Sequence, residues 1–352
     1  MENTSLETFA NVVVGSCIAQ WNEPHGDTPI PIGVSVAGIG KTSVVMQSAD
    51  VLSEIVEKPV NTIVLRLADK DYADLAGWSV PSDDKTQMVE IPPAWLAEVR
   101  SRPDENFVVF YDELAQAPVP NLNACAQTIN ERTIGSHSIP ENVAFVAATN
   151  PQSSKAGTNV IPSHLKDRLS FIYISANARQ AVDYGLKTGW HPFTIAYLEA
   201  RPDNVSKFDK DADSCPSPRS WGKISTIEHS RKYLSEQAYT ALVMGTVGDG
   251  IGADYLAFVR LAEKFPSLDS VIASPSTAEV PVEIDVKYAV CAGLSARTDK
   301  NNVGAILEYL ERLGNPELTA MAVRNALKRD YTLKSNRDIK EWASTEGADL
   351  LR

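Results

Sequence analysis

The run from Ser35 to Ser43 combines small residues, one lysine and three hydroxyls: Ser35-Val-Ala-Gly-Ile-Gly-Lys-Thr-Ser43. It follows the apolar run Pro31–Val34 and precedes the helix-like segment Val44–Glu57, so we expect it to connect a strand to a helix. The glycines at positions 38 and 40 let backbone N–H groups approach an anion, because no Cβ stands in the way. This combination predicts a loop that binds phosphate groups.

The polar side chains of this loop should contact the phosphates directly. We expect Lys41 to reach the outer phosphates as a point charge and the Thr42 hydroxyl to coordinate Mg²⁺. ATP and Mg²⁺ are therefore the predicted cofactors. The predicted nucleotide-binding residues are Gly38, Ile39, Gly40, Lys41, Thr42 and Ser43. Ser35 stands where the pattern G-x-x-x-x-G-K-[ST] has its first glycine, and a glycine-rich turn with a surface lysine is the structural alternative.

Two carboxylates follow an apolar run in the segment from Asn106 to Glu113. Continuous apolar residues are typical of a parallel strand covered on both faces, and ligand sites lie at the carboxyl ends of such strands. Asp112 is therefore predicted to hold the Mg²⁺ hydration shell, and Glu113 to polarise the attacking water. Capping of the following helical segment, Leu114–Ile129, is the structural alternative for this pair.

Three more polar residues at the ends of predicted elements could act on phosphate. Asn150 follows an apolar run from Val143 and could bind a γ-phosphate or position water, although Asn-Pro is also a common turn dipeptide. Arg168 has the planar charged group that suits a phosphoryl transition state, unless it is a surface residue of a Lys-Asp-Arg run. Arg219 lies near the first turn of a helical segment, where a cation is unfavourable, which indicates an anionic partner.

The elements that must position these residues alternate between strand and helix as far as Ile174. Such alternation predicts a parallel sheet with helices on both faces, preceded by a lead-in helix over Leu6–Trp21. The predicted strands lie near residues 32–36, 62–67, 106–111, 143–148 and 169–174.

After Ile174 the pattern is helical. The predicted helices span 176–199, 220–234, 235–246, 252–264, 286–296, 302–313 and 316–329. We expect a loop or extended segment over 266–283 and fraying in the last twenty or so residues. The predicted fold class is α/β, with domains at 1–175 (nucleotide-binding core), 176–265 (helical lid) and 266–352 (helical extension).

Composition restricts the class of protein further. A length of 352 residues is typical of about two domains, and the hydrophobic content of 43% supports full cores. No apolar stretch approaches the roughly 18–20 residues of a membrane span, and Met1–Glu7 has no basic character, so we predict a cytoplasmic protein without membrane contact. The scattered cysteines and histidines predict no structural metal site. A net charge of −12 argues against binding to nucleic acid along a broad surface.

Five elements in this order resemble the AAA+ ATPases, P-loop NTPases that include a MoxR-like branch, and the connecting segments resemble that branch specifically. Leu67–Pro81, continued by Ile91–Leu96, is similar to its insert after the second strand, and Asn130–Asn142 to its hairpin before the sensor strand. Asp112–Pro118 and Ala147–Pro151 match its Walker B and sensor 1 motifs. The resemblance covers roughly residues 30–225 and is weak after about residue 265.

The resemblance implies roles for individual residues. Asn150 would be sensor 1, Arg168 the arginine finger that acts on a neighbour's ATP, and Arg219 sensor 2. The predicted catalytic residues are then Glu113, Asn150, Arg168 and Arg219, and the predicted Mg²⁺ ligands are Thr42 and Asp112. Ser35 is the main departure from the family pattern in this site.

The same resemblance implies ATP hydrolysis by an oligomeric ring, expected to be a hexamer, that remodels a partner protein. It implies a partner with a von Willebrand factor A domain, contacted by the helical extension or by the insert around Asp74–Pro81. Tyr72 and Trp78 could anchor that interface, or could pack the insert onto its own core. A nucleic-acid motor or helicase loader is the alternative, although Thr133–Ile139 contains no Lys or Arg. A binding protein with an inactive site is opposed by the presence of Lys41, Asp112 and Glu113.

Overall fold

The computed structural model describes residues 3–24, 27–151, 159–265 and 267–345. The chain divides into two compact units, Met1–Ser175 and Ala176–Arg352. Pro266, where the third predicted domain would begin, lies outside the described residues.

The first unit is built around a five-stranded sheet. Its strands, together with those of two small hairpins, are β1 Ile30–Val34, β2 Val60–Arg66, β3 Trp78–Pro81, β4 Met88–Ile91, β5 Asn106–Asp112, β6 Thr133–Ile134, β7 His137–Ser138, β8 Val143–Thr149 and β9 Leu169–Tyr173. Its helices are α1 Leu6–Asn22, α2 Lys41–Val56, α3 Tyr72–Ala76, α4 Ala94–Ser101, α5 Val119–Glu131 and α6 Ser163–Lys166.

The large sheet is parallel throughout, in the order β2-β5-β8-β1-β9. Every residue of β1 and β8 is buried, as expected for central strands with helices on both faces. The five strands begin and end within two residues of the predicted bounds. The carboxyl ends of β1, β5 and β8 therefore meet at one edge of the sheet, where the predicted site residues follow them.

The lead-in helix α1 packs directly on this sheet. A Cβ at Gly33 of β1 would lie 2.7 Å from Cζ of Phe9, so glycine permits the close approach. Gln20 pairs with the backbone of Phe145 in β8, accepting from its N–H at 2.7 Å and donating to its carbonyl at 3.0 Å. The side chain of Gln20 thus extends the hydrogen-bond pattern of the strand and fixes α1 to the centre of the sheet.

Two hairpins stand outside the sheet. The antiparallel pair β3–β4 belongs to the segment after β2, where no strand was predicted. The pair β6–β7 lies within 130–142, the segment predicted to form a hairpin before β8. Ser136 at the tip of β6–β7 donates its backbone N–H to Oε2 of Glu90 in β4 at 2.7 Å. Hydrogen bonding by the Ser136 side chain, and then by this backbone N–H, lowers the pKa of Glu90. Arg100 of α4 donates to the carbonyl of Ser138 at 2.8 Å. The two hairpins are therefore joined to each other.

The second unit is helical, with no strand among its described residues. Its helices are α7 Ala178–Thr188, α8 Pro192–Ala200, α9 Pro218–His229, α10 Glu236–Val247, α11 Asp249–Ala262, α12 Leu268–Ala273, α13 Ile284–Arg297, α14 Val303–Arg312, α15 Pro316–Arg329 and α16 Arg337–Thr345. In the ranges that the structure describes, no helix is both long and apolar enough to cross a membrane.

Four predictions for this unit were wrong in detail. The helix predicted over 220–234 ends at His229, and a separate 3-10 turn, Arg231–Tyr233, follows it. The single helix predicted over 176–199 is two helices, because Gly189 has φ of 75° and ends α7. The segment predicted as a loop over 266–283 contains α12. The C-terminal residues predicted to fray contain α16, whose Ile339 and Trp342 are buried against a cluster with Leu333. The segment was predicted to fray because it is rich in charged residues, but these residues lie on the solvent-facing side of an amphipathic helix.

With these corrections, the predicted fold class is confirmed: an α/β core with a five-stranded parallel sheet is followed by an all-helical remainder.

Candidate nucleotide-binding site

The loop between β1 and α2 has the backbone that phosphate binding requires. Gly38 has φ of 83° and Gly40, the residue before α2, has φ of 119°, both in the region that favours glycine. The Ile39 side chain between them is buried and holds the loop against the core. The N–H of Ser35 donates to the carbonyl of Thr149 at 3.3 Å, which ties the loop to β8.

Lys41, the first residue of α2, is buried, with 9% of its surface exposed. Its Nζ donates to the Ser35 carbonyl at 2.7 Å, the Ser35 Oγ at 2.9 Å and the Val36 carbonyl at 3.3 Å. A further hydrogen bond of 3.3 Å goes to Oδ1 of Asn150 at the end of β8. The ammonium group is therefore held in place by the oxygens around it.

Thr42 and Asp112 meet across the edge of the sheet. Oγ1 of Thr42 donates to Oδ2 of Asp112 at 2.9 Å, while Oδ1 of Asp112 accepts from the Glu113 N–H at 3.0 Å. A hydroxyl and a carboxylate oxygen are ligands that Mg²⁺ prefers, so these two residues fit the predicted ion. No group of three or more His, Cys, Asp or Glu that could hold a metal occurs in the described ranges. A Mg²⁺ ion held here would take its other ligands from water and phosphate.

Glu113 adopts a left-handed conformation, with φ of 58° and ψ of 37°. This conformation costs a non-glycine residue about 1 kcal/mol, and such residues concentrate at functional sites. Neighbouring hydrogen bonds maintain it. Gln116 donates its N–H to the Glu113 carbonyl at 2.8 Å, and Ala115 donates its N–H to Oγ1 of Thr149 at 3.2 Å. The backbone after β5 is thereby turned sharply and fixed to β8.

The structure therefore joins four of the predicted side chains in a set of two hydrogen-bonded pairs: Lys41 with Asn150, and Thr42 with Asp112. Glu113 is joined to this set through its backbone. Ser43, also predicted to bind nucleotide, is exposed and its side chain forms no hydrogen bond within the described ranges.

Arg168 lies elsewhere on the surface of the first unit, immediately before β9. Its side chain is 47% exposed and pairs at 2.7 Å with Asp27, whose side chain is 94% exposed. A pair this exposed contributes little to stability, so the guanidinium can leave it at small cost. Arg168 is thus not part of the hydrogen-bonded set. It is a surface cation that could leave Asp27 to bind another anion.

Arg219 belongs to the helical unit, as the second residue of α9. Ser217 and Ser220 form a capping box at this helix start, and Arg219 lies in the first turn, as predicted, with its side chain exposed. Over the part of the chain that the structure describes, its side chain has no hydrogen-bond or ion-pair partner.

Sequence reasoning missed two contributions to this site. It named Ser35 only as a departure from the glycine pattern and gave it no role, although the Ser35 hydroxyl accepts from Lys41. It also gave no role to Thr149, whose hydroxyl accepts from Ala115 and whose carbonyl holds the phosphate loop. The role of Ser35 could have been inferred from the sequence, because a serine stands where the loop pattern has a glycine. The role of Thr149 depends on which strands are neighbours in the sheet, and no local sequence pattern specifies this.

No protein-family model and no curated protein matches this sequence. Several solved structures show a distant similarity to this chain. NtrX from Brucella abortus is 16% identical, with a TM-score of 0.42 over 95% of this chain and 69% of that chain. The P216G mutant of Thermotoga maritima RuvB is 13% identical, with a TM-score of 0.39 over 84% of this chain and 86% of that chain. The A156S mutant of the same protein is 11% identical, with a TM-score of 0.40 over 76% and 81%.

Likenesses this distant carry no functional argument, so the fold class rests on the topology described above. A glycine-containing loop follows β1, Asp112 ends β5 with Glu113 after it, an asparagine follows β8, and a helical unit comes after the sheet. This arrangement is the α/β fold with a parallel sheet and a helical remainder that the sequence predicts.

Proposed function

We propose that this chain is a MoxR-like AAA+ ATPase that hydrolyses ATP with Mg²⁺ and uses the reaction to remodel or activate a partner protein in the cytoplasm. The observation that carries the proposal is the 2.9 Å hydrogen bond between Thr42 and Asp112. It joins the phosphate loop to the end of β5, where a carboxylate is needed beside a loop hydroxyl to hold Mg²⁺.

In this mechanism the backbone N–H groups of residues 38–42 and the Lys41 ammonium bind the phosphates. Mg²⁺ held by Thr42 and Asp112 would neutralise phosphate charge. Glu113 orients the attacking water and accepts its proton. Asn150 positions the terminal phosphate or the water without adding negative charge.

Two arginines extend the mechanism beyond the loop. Arg168, exposed and bound only to an exposed carboxylate within the described residues, would act on ATP bound by a neighbouring subunit. That role requires an oligomeric ring, for which we propose a hexamer. For Arg219 we propose the role of sensor 2. The proposed domains are a nucleotide-binding core at 1–175, a helical lid at 176–265 and a helical extension at 266–352.

We further propose that the β3–β4 hairpin and α3 bind the partner. Trp78 is paired with Ile91 on one face of the hairpin, and these side chains are 65% and 49% exposed. Tyr72 of α3 is 48% exposed, so neither aromatic is packed into the core of the unit. The exposed carboxylates Asp71 and Asp74 border the same surface.

This combination of exposed aromatics and carboxylates suits a partner with a von Willebrand factor A domain, because the metal-dependent site of that domain docks acidic ligands. Nucleic acid is a poor fit for an acidic surface. The bond between Glu90 and Ser136 joins β3–β4 to the hairpin that leads into β8 and Asn150. Partner binding would therefore alter ATP turnover through these elements.

The first experiment tests hydrolysis. Glu113→Gln should bind ATP as the wild type does but should release no phosphate, because an amide cannot accept the proton of the attacking water. Lys41→Ala, which removes the loop's cation, should lose tight ATP binding. Wild-type turnover by purified Glu113→Gln would reject the assignment.

The second experiment tests the partner surface. A pull-down with the full chain should recover a protein with a von Willebrand factor A domain. Tyr72→Ala and Trp78→Ala should weaken its capture and abolish its effect on turnover. Recovery of the ATPase alone, with wild-type turnover in both variants, would remove the basis for this surface.

A further inference from the structure

Ser35 supplies two of the hydrogen-bond acceptors of Lys41. Its carbonyl and its hydroxyl lie 2.7 and 2.9 Å from Nζ, closer than the Val36 carbonyl and Asn150 Oδ1, which are each 3.3 Å away. Both partners are buried, with 4% of Ser35 and 9% of Lys41 exposed. Glycine at this position would supply the carbonyl alone.

The number of N–H groups on Lys41 limits what the lysine can bind. An ammonium group has three donors and no acceptor. At least four oxygens already lie within 3.3 Å of Nζ, so a phosphate oxygen can bind only by displacing one of them. The longest contacts are the weakest and are displaced first, which leaves both contacts to Ser35 in place.

The Ser35 hydroxyl is oriented to keep its contact. Its proton points to the Val36 carbonyl, 3.2 Å away, so that its lone pairs face Lys41. The backbone of Ser35 is fixed by the hydrogen bond from its N–H to Thr149. Rotation of the hydroxyl away from Lys41 would break a second hydrogen bond as well.

We infer that Ser35 leaves Lys41 one N–H for phosphate where a glycine loop would leave two, and thereby reduces the preference of this site for nucleoside triphosphates over diphosphates. A lysine with two available N–H groups can bridge the two outer phosphates of ATP, whereas one N–H contacts a single oxygen. Ser35 is in this sense a specificity-determining residue. The inference rests on the proposed nucleotide site, but not on hydrolysis.

The test compares Mg-ATP and Mg-ADP binding by calorimetry, with the full chain carrying Glu113→Gln so that ATP is not consumed. Adding Ser35→Ala should tighten ATP binding by about 3- to 10-fold, the value of one released hydrogen bond, and ADP binding by less. The ratio of the ADP to the ATP dissociation constant should therefore rise. Ser35→Gly, which restores the glycine of the loop pattern, should change it in the same direction.

Ser48→Ala is the matched control. Ser48 is a buried serine of α2 whose hydroxyl donates to the Val44 carbonyl at 2.9 Å, and its removal should leave both dissociation constants unchanged. An unchanged or lower ratio in both Ser35 variants would overturn this inference alone. Failure of the chain with native Ser35 to bind either nucleotide would overturn the proposed function as well.

Discussion

At the scale of single residues, Thr42 is the point at which the phosphate loop and β5 are joined, since its hydroxyl donates to Asp112. Thr42→Val keeps the shape of the side chain but removes the oxygen. We expect it to raise the free Mg²⁺ concentration that ATP binding requires by about 10-fold or more, because one ligand is lost and Asp112 loses its hydrogen-bond donor. Titration of ATP binding against free Mg²⁺ measures the effect. Thr42→Ser, which keeps the hydroxyl, should stay close to the wild type.

Glu113 offers a second prediction at this scale, because its φ of 58° is unfavourable for any residue with a Cβ. The free energy of unfolding of Glu113→Gly should be about 1 kcal/mol higher than that of Glu113→Ala, since glycine adopts this conformation without strain. Chemical denaturation of the two variants gives the difference. Equal stabilities would mean that the left-handed conformation is not kept in solution. Neither variant should hydrolyse ATP.

At the scale of elements, the β3–β4 hairpin depends on the glycine that precedes it. Gly77 has φ of 90°, and a Cβ there would lie 2.0 Å from the Ile91 carbonyl oxygen. Gly77→Ala should therefore destabilise the first unit by about 2 kcal/mol or more and expose the hairpin to proteases. Unfolding curves and limited proteolysis at Lys85 would detect this.

Gly15→Ala is the control for that substitution. Gly15 lies in α1 with nothing within 4 Å of a Cβ, so alanine should stabilise the protein by about 0.5–1 kcal/mol. A Gly77→Ala variant as stable and protease-resistant as the wild type would contradict the hairpin geometry.

The helical unit contains a buried carboxylate that links α8 to α15. Burial raises the pKa of Glu199 from 4.5 to about 7, although Asn325 donates to both carboxylate oxygens at 2.9 and 3.0 Å. Between these pH values the folded chain keeps a proton that the unfolded chain has lost. Stability should therefore fall as pH rises through this window, by up to about 3 kcal/mol.

Glu199→Gln should remove this dependence. The difference in unfolding free energy between variant and wild type should grow from pH 4.5 to pH 7, in favour of the variant. Burial lowers the pKa of His191 to about 4, and this shift changes stability with pH in the opposite direction. The contribution of His191 is the same in both proteins, so it cancels in the difference. Glu308→Gln on the exposed face of α14 is the matched control for the removal of a carboxylate from the surface. A constant difference for Glu199→Gln would contradict the prediction.

At the scale of the whole molecule, the proposed ring predicts that two inactive variants can restore activity together. Arg168→Ala should bind ATP normally but hydrolyse it poorly, with a loss of about 10³-fold for an arginine finger. Mixed with Glu113→Gln, it should regain turnover at interfaces that pair an intact arginine with an intact glutamate. Phosphate release by the mixture, with subunit exchange verified, is the measurement.

Asp27→Ala controls for local disturbance, because it removes the exposed partner of Arg168 and keeps the arginine. Its turnover should remain near that of the wild type, since an exposed ion pair contributes little. Absence of restored activity in subunits that exchange would assign Arg168 to its own subunit's site or to a structural role.

The sequence by itself determined the phosphate loop, the five strands and the start of α9. These are local patterns: glycine is favoured where φ is positive, a buried parallel strand is continuously apolar, and Ser217 and Pro218 begin a helix wherever the helix packs. They also placed Asp112 and Asn150 at strand ends, where a parallel sheet gathers its sites.

Only the tertiary structure decided which of these residues meet. Thr42 and Asp112 are 70 residues apart in the chain, and Lys41 and Asn150 are 109 apart, so their contacts depend on the spatial order of β1, β5 and β8. The same holds for the Ser35 hydroxyl, which is an acceptor because the loop folds back over Lys41. Strand order and side-chain packing arise from contacts distant in sequence, and a local pattern carries no information about them.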